Sequence, residues 1–171
     1  MLFPERENPF SRNKFITAKD VKNRKDFFCI LAVIFFATLV SCKMVFGIGT
    51  DIMEVSRIKT AIERDAGFVD QLFTISEIAD CEKLKSKHQN YAARYAAKEA
   101  FMKALGTGWR FGIRFTDIEV FNDDLGKPHI RLSGKAEELA KKEEISKIHV
   151  SLSHVKDMAT AIVILETEGG N

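Results

Sequence analysis

The stretch that decides the fold is YAARYAAKEAFMKALGTG, residues 91–108. It is rich in alanine and contains no glycine or proline before Gly106, so it predicts a helix over residues 91–105 that ends at this glycine. Alanine occurs on several faces of this helix, which indicates close packing by neighbouring elements. We therefore expect a long central helix, followed by a Gly-Thr-Gly loop.

The flanking segments predict strands and shorter helices around this central helix. Upstream, MVFGIG (44–49) predicts a short buried strand that ends in a Gly-x-Gly turn, with Asp51 at its exit. Thr74 and Glu77 form a capping-box pattern that predicts a helix start. The remaining predicted elements are a helix from Val55, a hairpin with arms 115–121 and 129–132, a helix over 135–142, and strands over 148–153 and 159–165. Hairpins with helices between them favour an α+β domain with an antiparallel sheet.

Charge and cysteine content exclude several classes of protein. The net charge of the 171 residues is +2, but residues 1–43 hold 8 of the 26 basic and 4 of the 24 acidic side chains. The body, residues 44–171, is thus slightly acidic, which disfavours nucleic acid as a partner and requires a local basic patch for any acidic one. Cys29, Cys42 and Cys81 have no zinc spacing, and they favour a reducing cytoplasm over a disulfide framework.

The first 43 residues form an extension with an apolar segment, FFCILAVIFFATLVSC, at 27–42. This segment is slightly short for a membrane-spanning helix, although basic residues precede it. It is a signal or membrane anchor, a buried helix of the fold, or translated upstream sequence that the natural protein lacks. We favour the last interpretation because Met44 opens the body, and we expect no membrane association unless 27–42 is a genuine anchor.

Carboxylates from two distant segments suggest a metal site. Asp51 follows the first strand, and Glu99 and Lys103 share one face of the central helix at a spacing of four residues. Mg²⁺ prefers oxygen ligands and is usually bound by one or two carboxylates together with substrate phosphates. The alternative is that Glu99 and Lys103, like Arg94 and Lys98, are ordinary charged residues on a helix surface.

Four motifs together resemble a known family. G-I-G-x-D-I begins at Gly47, and F-A-A-K-E-A-x-x-K-A-x-G-T-G begins at Tyr95, with tyrosine in place of phenylalanine. Residues 115–128 contain D-I-E-V and G-K-P, and residues 150–166 (VSLSHVKDMATAIVILE) resemble a closing strand pair. In this order the motifs resemble the short bacterial holo-acyl-carrier-protein synthases, which are 4′-phosphopantetheinyl transferases. The resemblance covers residues 44 to about 166.

The resemblance implies a function and a set of site residues. The family transfers the 4′-phosphopantetheine arm of coenzyme A to a serine of apo acyl carrier protein in fatty acid biosynthesis, and adenosine 3′,5′-bisphosphate leaves. It implies Mg²⁺ held by Asp51 and Glu99, with Lys103 stabilising charge on the diphosphate and Lys98 contacting coenzyme A phosphates. The general base stays open between Glu99, Asp51 and a metal-bound water.

Other residues carry weaker expectations. The resemblance places His154 near the nucleotide, and the alternative is a hydrogen-bonded histidine at a strand end. Gly106, Thr107 and Gly108 are expected to let the backbone approach the cofactor, to end the helix, or both. The basic side chains of the first helix that are expected to bind the acidic carrier protein are Arg57, Lys59 and Arg64. The family also implies a homotrimer with active sites between subunits.

Three rival functions remain to be distinguished. A non-catalytic protein that binds coenzyme A or a nucleotide would lack one of the two carboxylates. A membrane-tethered interaction module would use residues 27–42. A transferase for polyketide or peptide-synthetase carriers would be longer, because those relatives duplicate the fold.

Overall fold

The computed structural model describes residues 43–65, 67–108 and 110–169, which belong to one compact unit spanning 42–171. The elements are, in chain order, β1 (Lys43–Glu54), α1 (Val55–Arg64), α2 (Phe68–Leu72), α3 (Ile75–Glu82), α4 (Lys87–Ala104), a 3₁₀ turn (Phe115–Asp117), β2 (Ile118–Asn122), β3 (Pro128–Leu132), α5 (Gly134–Lys142), β4 (Ile145–His154) and β5 (Met158–Glu168). The predicted α+β class is confirmed.

An antiparallel three-stranded sheet, in the order β1-β5-β4, packs one face against the long helix α4, and β2 and β3 form a separate hairpin. Alanines of α4 lie against the alternate, inward side chains of β5, such as Ala161, Val163 and Leu165. Small residues on the helix allow this close approach, which explains the alanine-rich sequence. The sheet and α4 therefore form the frame that positions everything else.

Strand β1 differs from its prediction. We expected it to end in a turn at Gly47-Ile48-Gly49, but it continues to Glu54 and pairs with β5 along this length. A Cβ atom on Gly47 would lie 2.1 Å from the carbonyl oxygen of Ala104, and one on Gly49 would lie 1.9 Å from that of Ala100. The glycines are thus required by direct contact between the backbones of β1 and α4, and not by a turn.

The helix boundaries show where local signals misled. α4 begins at Lys87, four residues before the predicted start at Tyr91. The Asn90 amide donates to both the carbonyl and the hydroxyl oxygen of Ser86, at 3.0 and 3.1 Å, which stabilises the first turn. The capping box is confirmed: Glu77 N donates to Thr74 Oγ1 at 3.3 Å, and Thr74 N donates to Glu77 Oε2 at 2.9 Å.

The sheet face that points away from α4 is unusually apolar. Four large side chains there, which we call the outer sheet face, are 39–64% exposed: Phe46, Ile48, Ile52 and Ile162. An antiparallel sheet with one solvated face normally alternates apolar and polar residues. A contiguous apolar patch of this kind usually marks a contact surface.

Within the described part of the chain, no helix is long and apolar enough to cross a membrane. The apolar segment 27–42 lies outside the described residues, so the interpretations of the extension stay predictions.

Candidate active site

Asp51 and Lys103 meet where β1 crosses α4. Lys103 Nζ donates to Asp51 Oδ1 at 2.7 Å and to the carbonyl oxygen of Thr50 at 3.1 Å. The Asp51 side chain is 14% exposed and that of Lys103 is 48% exposed. Asp51 lies on the same side of β1 as Gly49, so the close contact between β1 and α4 places its carboxylate beside the helix.

Glu99 stands one helical turn before Lys103, and Tyr95 one turn before Glu99. The Tyr95 hydroxyl lies 3.5 Å from Glu99 Oε1. Burial first, and then the negative charges of Glu99 and Asp51, raise the pKa of Tyr95 to about 12, against the opposing charge of Arg57. Lys103 contacts Asp51 and stands one turn after Glu99 on α4, so the two distant segments meet at this part of the helix.

The chemistry of this donor set fits a magnesium ion. The Lys103 ammonium already holds a positive charge against Asp51 Oδ1, where a divalent cation would have the same electrostatic role. Across residues 43–65, 67–108 and 110–169, no group of three or more His, Cys, Asp or Glu could hold a metal ion. Mg²⁺ commonly uses only one or two protein carboxylates and fills its other positions with water and phosphate oxygens.

Lys98 does not fit its predicted role. Its side chain is fully buried, and its ammonium donates to Glu77 Oε2 at 2.7 Å, Leu72 O at 2.8 Å and Phe115 O at 3.0 Å. An ammonium group has three donors, so none is left for a coenzyme A phosphate. Burial lowers the pKa of Lys98, and the adjacent Glu77 charge opposes this shift. Lys98 is thus a structural residue that joins α4 to its neighbours.

A cleft of about 640 Å³ opens beside the carboxylates, between α1 and α2. Arg57 and Arg64 lie along it, Met53, Phe68 and Leu72 supply apolar lining, and Tyr95 is a wall residue. Since Tyr95 also contacts Glu99, the cleft leads to the carboxylate site.

The predicted basic face of α1 is therefore only partly assembled at the cleft. Lys59 does not line it; its Nζ lies 3.8 Å from Glu63 Oε1 on an exposed part of the helix. Arg57 and Arg64 are seven residues apart and share one helical face. The structure brings these two arginines together and leaves Lys59 aside.

The Gly106-Thr107-Gly108 loop ends α4. The backbone nitrogens of Thr107 and Gly108 both donate to Met102 O, at 3.1 and 3.3 Å. Gly106 and Gly108 have φ values of 73° and 52°, in the left-handed region that favours glycine. The expected helix-ending role is confirmed, and the cofactor contact stays a prediction.

His154 is exposed at the end of β4 and pairs in register with Ala159 of β5. Two strand spacings separate β4 from β1, so His154 lies about 10 Å or more from Asp51 within the chain. It is not part of the carboxylate cluster of its own subunit. Its predicted place near the nucleotide stays untested.

Sequence reasoning missed two residues, Tyr95 and Glu77. The spacing of Tyr95 four residues before Glu99 was a usable signal, because it places both on one face of a helix. Glu77 was recognised only as part of a helix cap. No local pattern links it to Lys98, which follows 21 positions later.

Comparison with known proteins identifies the family. Residues 47–163 match the family described as the 4′-phosphopantetheinyl transferase superfamily. The chain is 50% identical over 125 residues to a holo-[acyl-carrier-protein] synthase of Clostridium tetani, covering 73% of this chain and 98% of that protein. The alignment therefore covers more than two thirds of this chain and nearly all of this relative.

Solved structures give the same result. The holo-[acyl-carrier-protein] synthase of Neisseria meningitidis matches with a TM-score of 0.67 and 33% identity, over 72% of this chain and 100% of that one. That of Bacillus anthracis, solved in complex with CoA (3′,5′-ADP), matches with a TM-score of 0.61 and 39% identity, over 72% and 98%. With its fold and its sequence both matched, the chain belongs to the 4′-phosphopantetheinyl transferase superfamily and, within it, to the holo-acyl-carrier-protein synthases.

Proposed function

We propose that this protein transfers the 4′-phosphopantetheine arm of coenzyme A to a serine of apo acyl carrier protein, in fatty acid biosynthesis. The products are holo carrier protein and adenosine 3′,5′-bisphosphate. The observation that carries the proposal is the contact of Lys103 with Asp51 where β1 crosses α4, one helical turn from Glu99. A non-catalytic relative would be expected to lack one of these carboxylates, and both are present.

Each residue then has a role. Asp51 and Glu99 would hold Mg²⁺, which when bound would supply positive charge beside the coenzyme A diphosphate. Lys103, half-exposed beside Asp51, stabilises the negative charge that accumulates on the leaving phosphate. The serine oxygen forms a bond to the β-phosphorus as the bond to the α-phosphate breaks, so catalysis is mostly positioning and charge stabilisation.

The cleft is the proposed docking site for the carrier protein. Its arginines offer positive charge to an acidic partner, and Met53, Phe68 and Leu72 offer apolar contact. Since Tyr95 lies on both the cleft and the carboxylate site, a serine presented there reaches the reacting phosphate. The reaction is placed in the cytoplasm, where coenzyme A and apo carrier protein are available.

The outer sheet face supports the proposed homotrimer. Phe46, Ile48, Ile52 and Ile162 lie on the side of the sheet opposite α4, and an assembly through them would cover this exposed apolar surface. Burial of this apolar surface between subunits would stabilise the assembly at roughly 25 cal/mol per Å².

The deciding experiment is incubation of the full chain with apo acyl carrier protein, coenzyme A and Mg²⁺. Mass spectrometry should show the carrier protein gaining one phosphopantetheine group, and chromatography should show adenosine 3′,5′-bisphosphate in equal amount. A carrier protein of unchanged mass in the presence of all components would refute the proposed activity.

Charge reversal at the cleft should weaken carrier docking. We expect Arg64→Glu to raise the KM for carrier protein about tenfold or more while kcat changes less than about threefold, because Arg64 lies away from the carboxylates. Lys59→Glu is the matched control: the same reversal on the same helix, outside the cleft, should change KM much less. Equal effects of both variants would show that the helix acts through its overall charge and not through the cleft.

A further inference from the structure

The ring of Tyr95 is held firmly beside the proposed metal site. It stacks on Phe115 with a centroid distance of 5.1 Å and an interplanar angle of 23°. The ring forms part of the cleft wall, and its hydroxyl points to Glu99 Oε1 at 3.5 Å. The aromatic contact fixes where the hydroxyl oxygen stands, so its position does not depend on a flexible side chain.

The Tyr95 hydroxyl is a hydrogen-bond donor beside the Glu99 carboxylate. A phenol has one hydrogen to donate, and Glu99 Oε1 is the acceptor within reach. The Asp51 carboxylate accepts a hydrogen bond from Lys103. A hydrogen bond to one oxygen of a carboxylate restricts the rotation of the whole group.

This hydroxyl is a departure from the pattern that the sequence resembles. The signature has phenylalanine where this chain has Tyr95. The ring position is common to both residues, and the oxygen atom alone differs. A role for the oxygen would therefore be a property of this chain and not of the scaffold.

We propose that Tyr95 is a positioning residue: its hydroxyl holds the Glu99 carboxylate in the orientation that receives the divalent cation. This inference rests on the proposed function, in which Asp51 and Glu99 hold Mg²⁺. Tyr95 acts through Glu99 and sets how much Mg²⁺ the protein needs, while the rate at saturating Mg²⁺ is set by the other residues.

The test is Tyr95→Phe in the full chain, measured with Mg²⁺ alone. A cation that binds the folded state raises Tm as its concentration rises. We expect the Mg²⁺ dissociation constant fitted to this rise, which we call the midpoint, to increase about three- to tenfold, the range given by loss of one ordinary hydrogen bond. In the transfer assay the half-saturating Mg²⁺ concentration should rise by a similar factor.

Tyr91→Phe is the matched control. Tyr91 is fully buried on the same helix, and its hydroxyl donates to Glu82 Oε1 at 3.1 Å, away from the carboxylate cluster. Its loss should lower Tm equally at every Mg²⁺ concentration without moving the midpoint. A Tyr95→Phe protein that behaves in this way would overturn the proposal, since packing alone would then explain the residue.

A third variant separates this inference from the function on which it rests. Asp51→Asn should abolish most of the Mg²⁺ response. If Asp51→Asn does so and Tyr95→Phe leaves the midpoint unchanged, the positioning role is wrong and the metal site stands. If neither the wild type nor any variant responds to Mg²⁺, the metal site fails, and the role of Tyr95 fails with it.

Discussion

Replacing Asp51 by Asn, or Glu99 by Gln, should reduce phosphopantetheine transfer about 10²- to 10³-fold at millimolar Mg²⁺. Each substitution keeps the size of the side chain and removes its negative charge, so the cation loses one of two protein anions. Charge stabilisation by a metal ion in a transition state amounts to several kcal/mol, which corresponds to a rate change of this size. The measurement is the initial rate of carrier modification by mass spectrometry.

The control for this prediction is Glu82→Gln. Glu82 also accepts hydrogen bonds from a tyrosine and a lysine, Tyr91 and Lys87, but it lies at the far end of α3 from the site. Its variant should retain transfer within about twofold. If Asp51→Asn and Glu99→Gln both keep wild-type rates across a range of Mg²⁺ concentrations, the two carboxylates are not the metal ligands.

The largest effect on stability is expected from Lys98→Met. This change leaves the Glu77 carboxylate fully buried without its counterion, and breaking a buried pair in this way costs about 3–5 kcal/mol. Lys98 also joins the end of α2, through Leu72 O, to the 3₁₀ turn, through Phe115 O. We expect thermal unfolding to show a Tm lower by roughly 10 °C or more.

Two further variants isolate the cause. Lys87→Met breaks an ion pair with Glu82 whose side chains are 38% and 48% exposed, and it should cost less than about 1 kcal/mol. Lys98→Met combined with Glu77→Gln removes the buried charge as well, so the double variant should be more stable than Lys98→Met alone. A double variant that is less stable by the full sum of two single losses would show that the two residues do not act as a pair.

Sequence patterns predicted the elements that depend on contacts between residues close together in the sequence. The alanine-rich segment formed the central helix, the capping box formed at Thr74, and the hairpin of β2 and β3 formed around the turn at Gly126. In each case the deciding contacts lie within a few residues of one another. The order of these elements was enough to predict an α+β domain.

Tertiary contacts decided where those patterns failed. Glycine in a sequence suggests a turn, but Gly47 and Gly49 lie inside β1 because α4 touches the strand there. From the sequence, Lys98 looks like one of several charged residues on a helix surface. In the structure, Glu77 and two backbone carbonyls of other elements surround its ammonium group. Asp51 and Glu99 were paired through family resemblance, because no spacing rule joins residues 48 positions apart.

The contact of β1 with α4 has a practical meaning for protein design. The two carboxylates are attached to backbones that touch at Gly49 and Ala100, so their separation is set by main-chain atoms and not by a layer of interchangeable side chains. Anyone transplanting this pair of acids into another scaffold would have to carry the glycines and alanines along with them. A host with bulkier residues at those positions would hold the same two acids too far apart to share an ion.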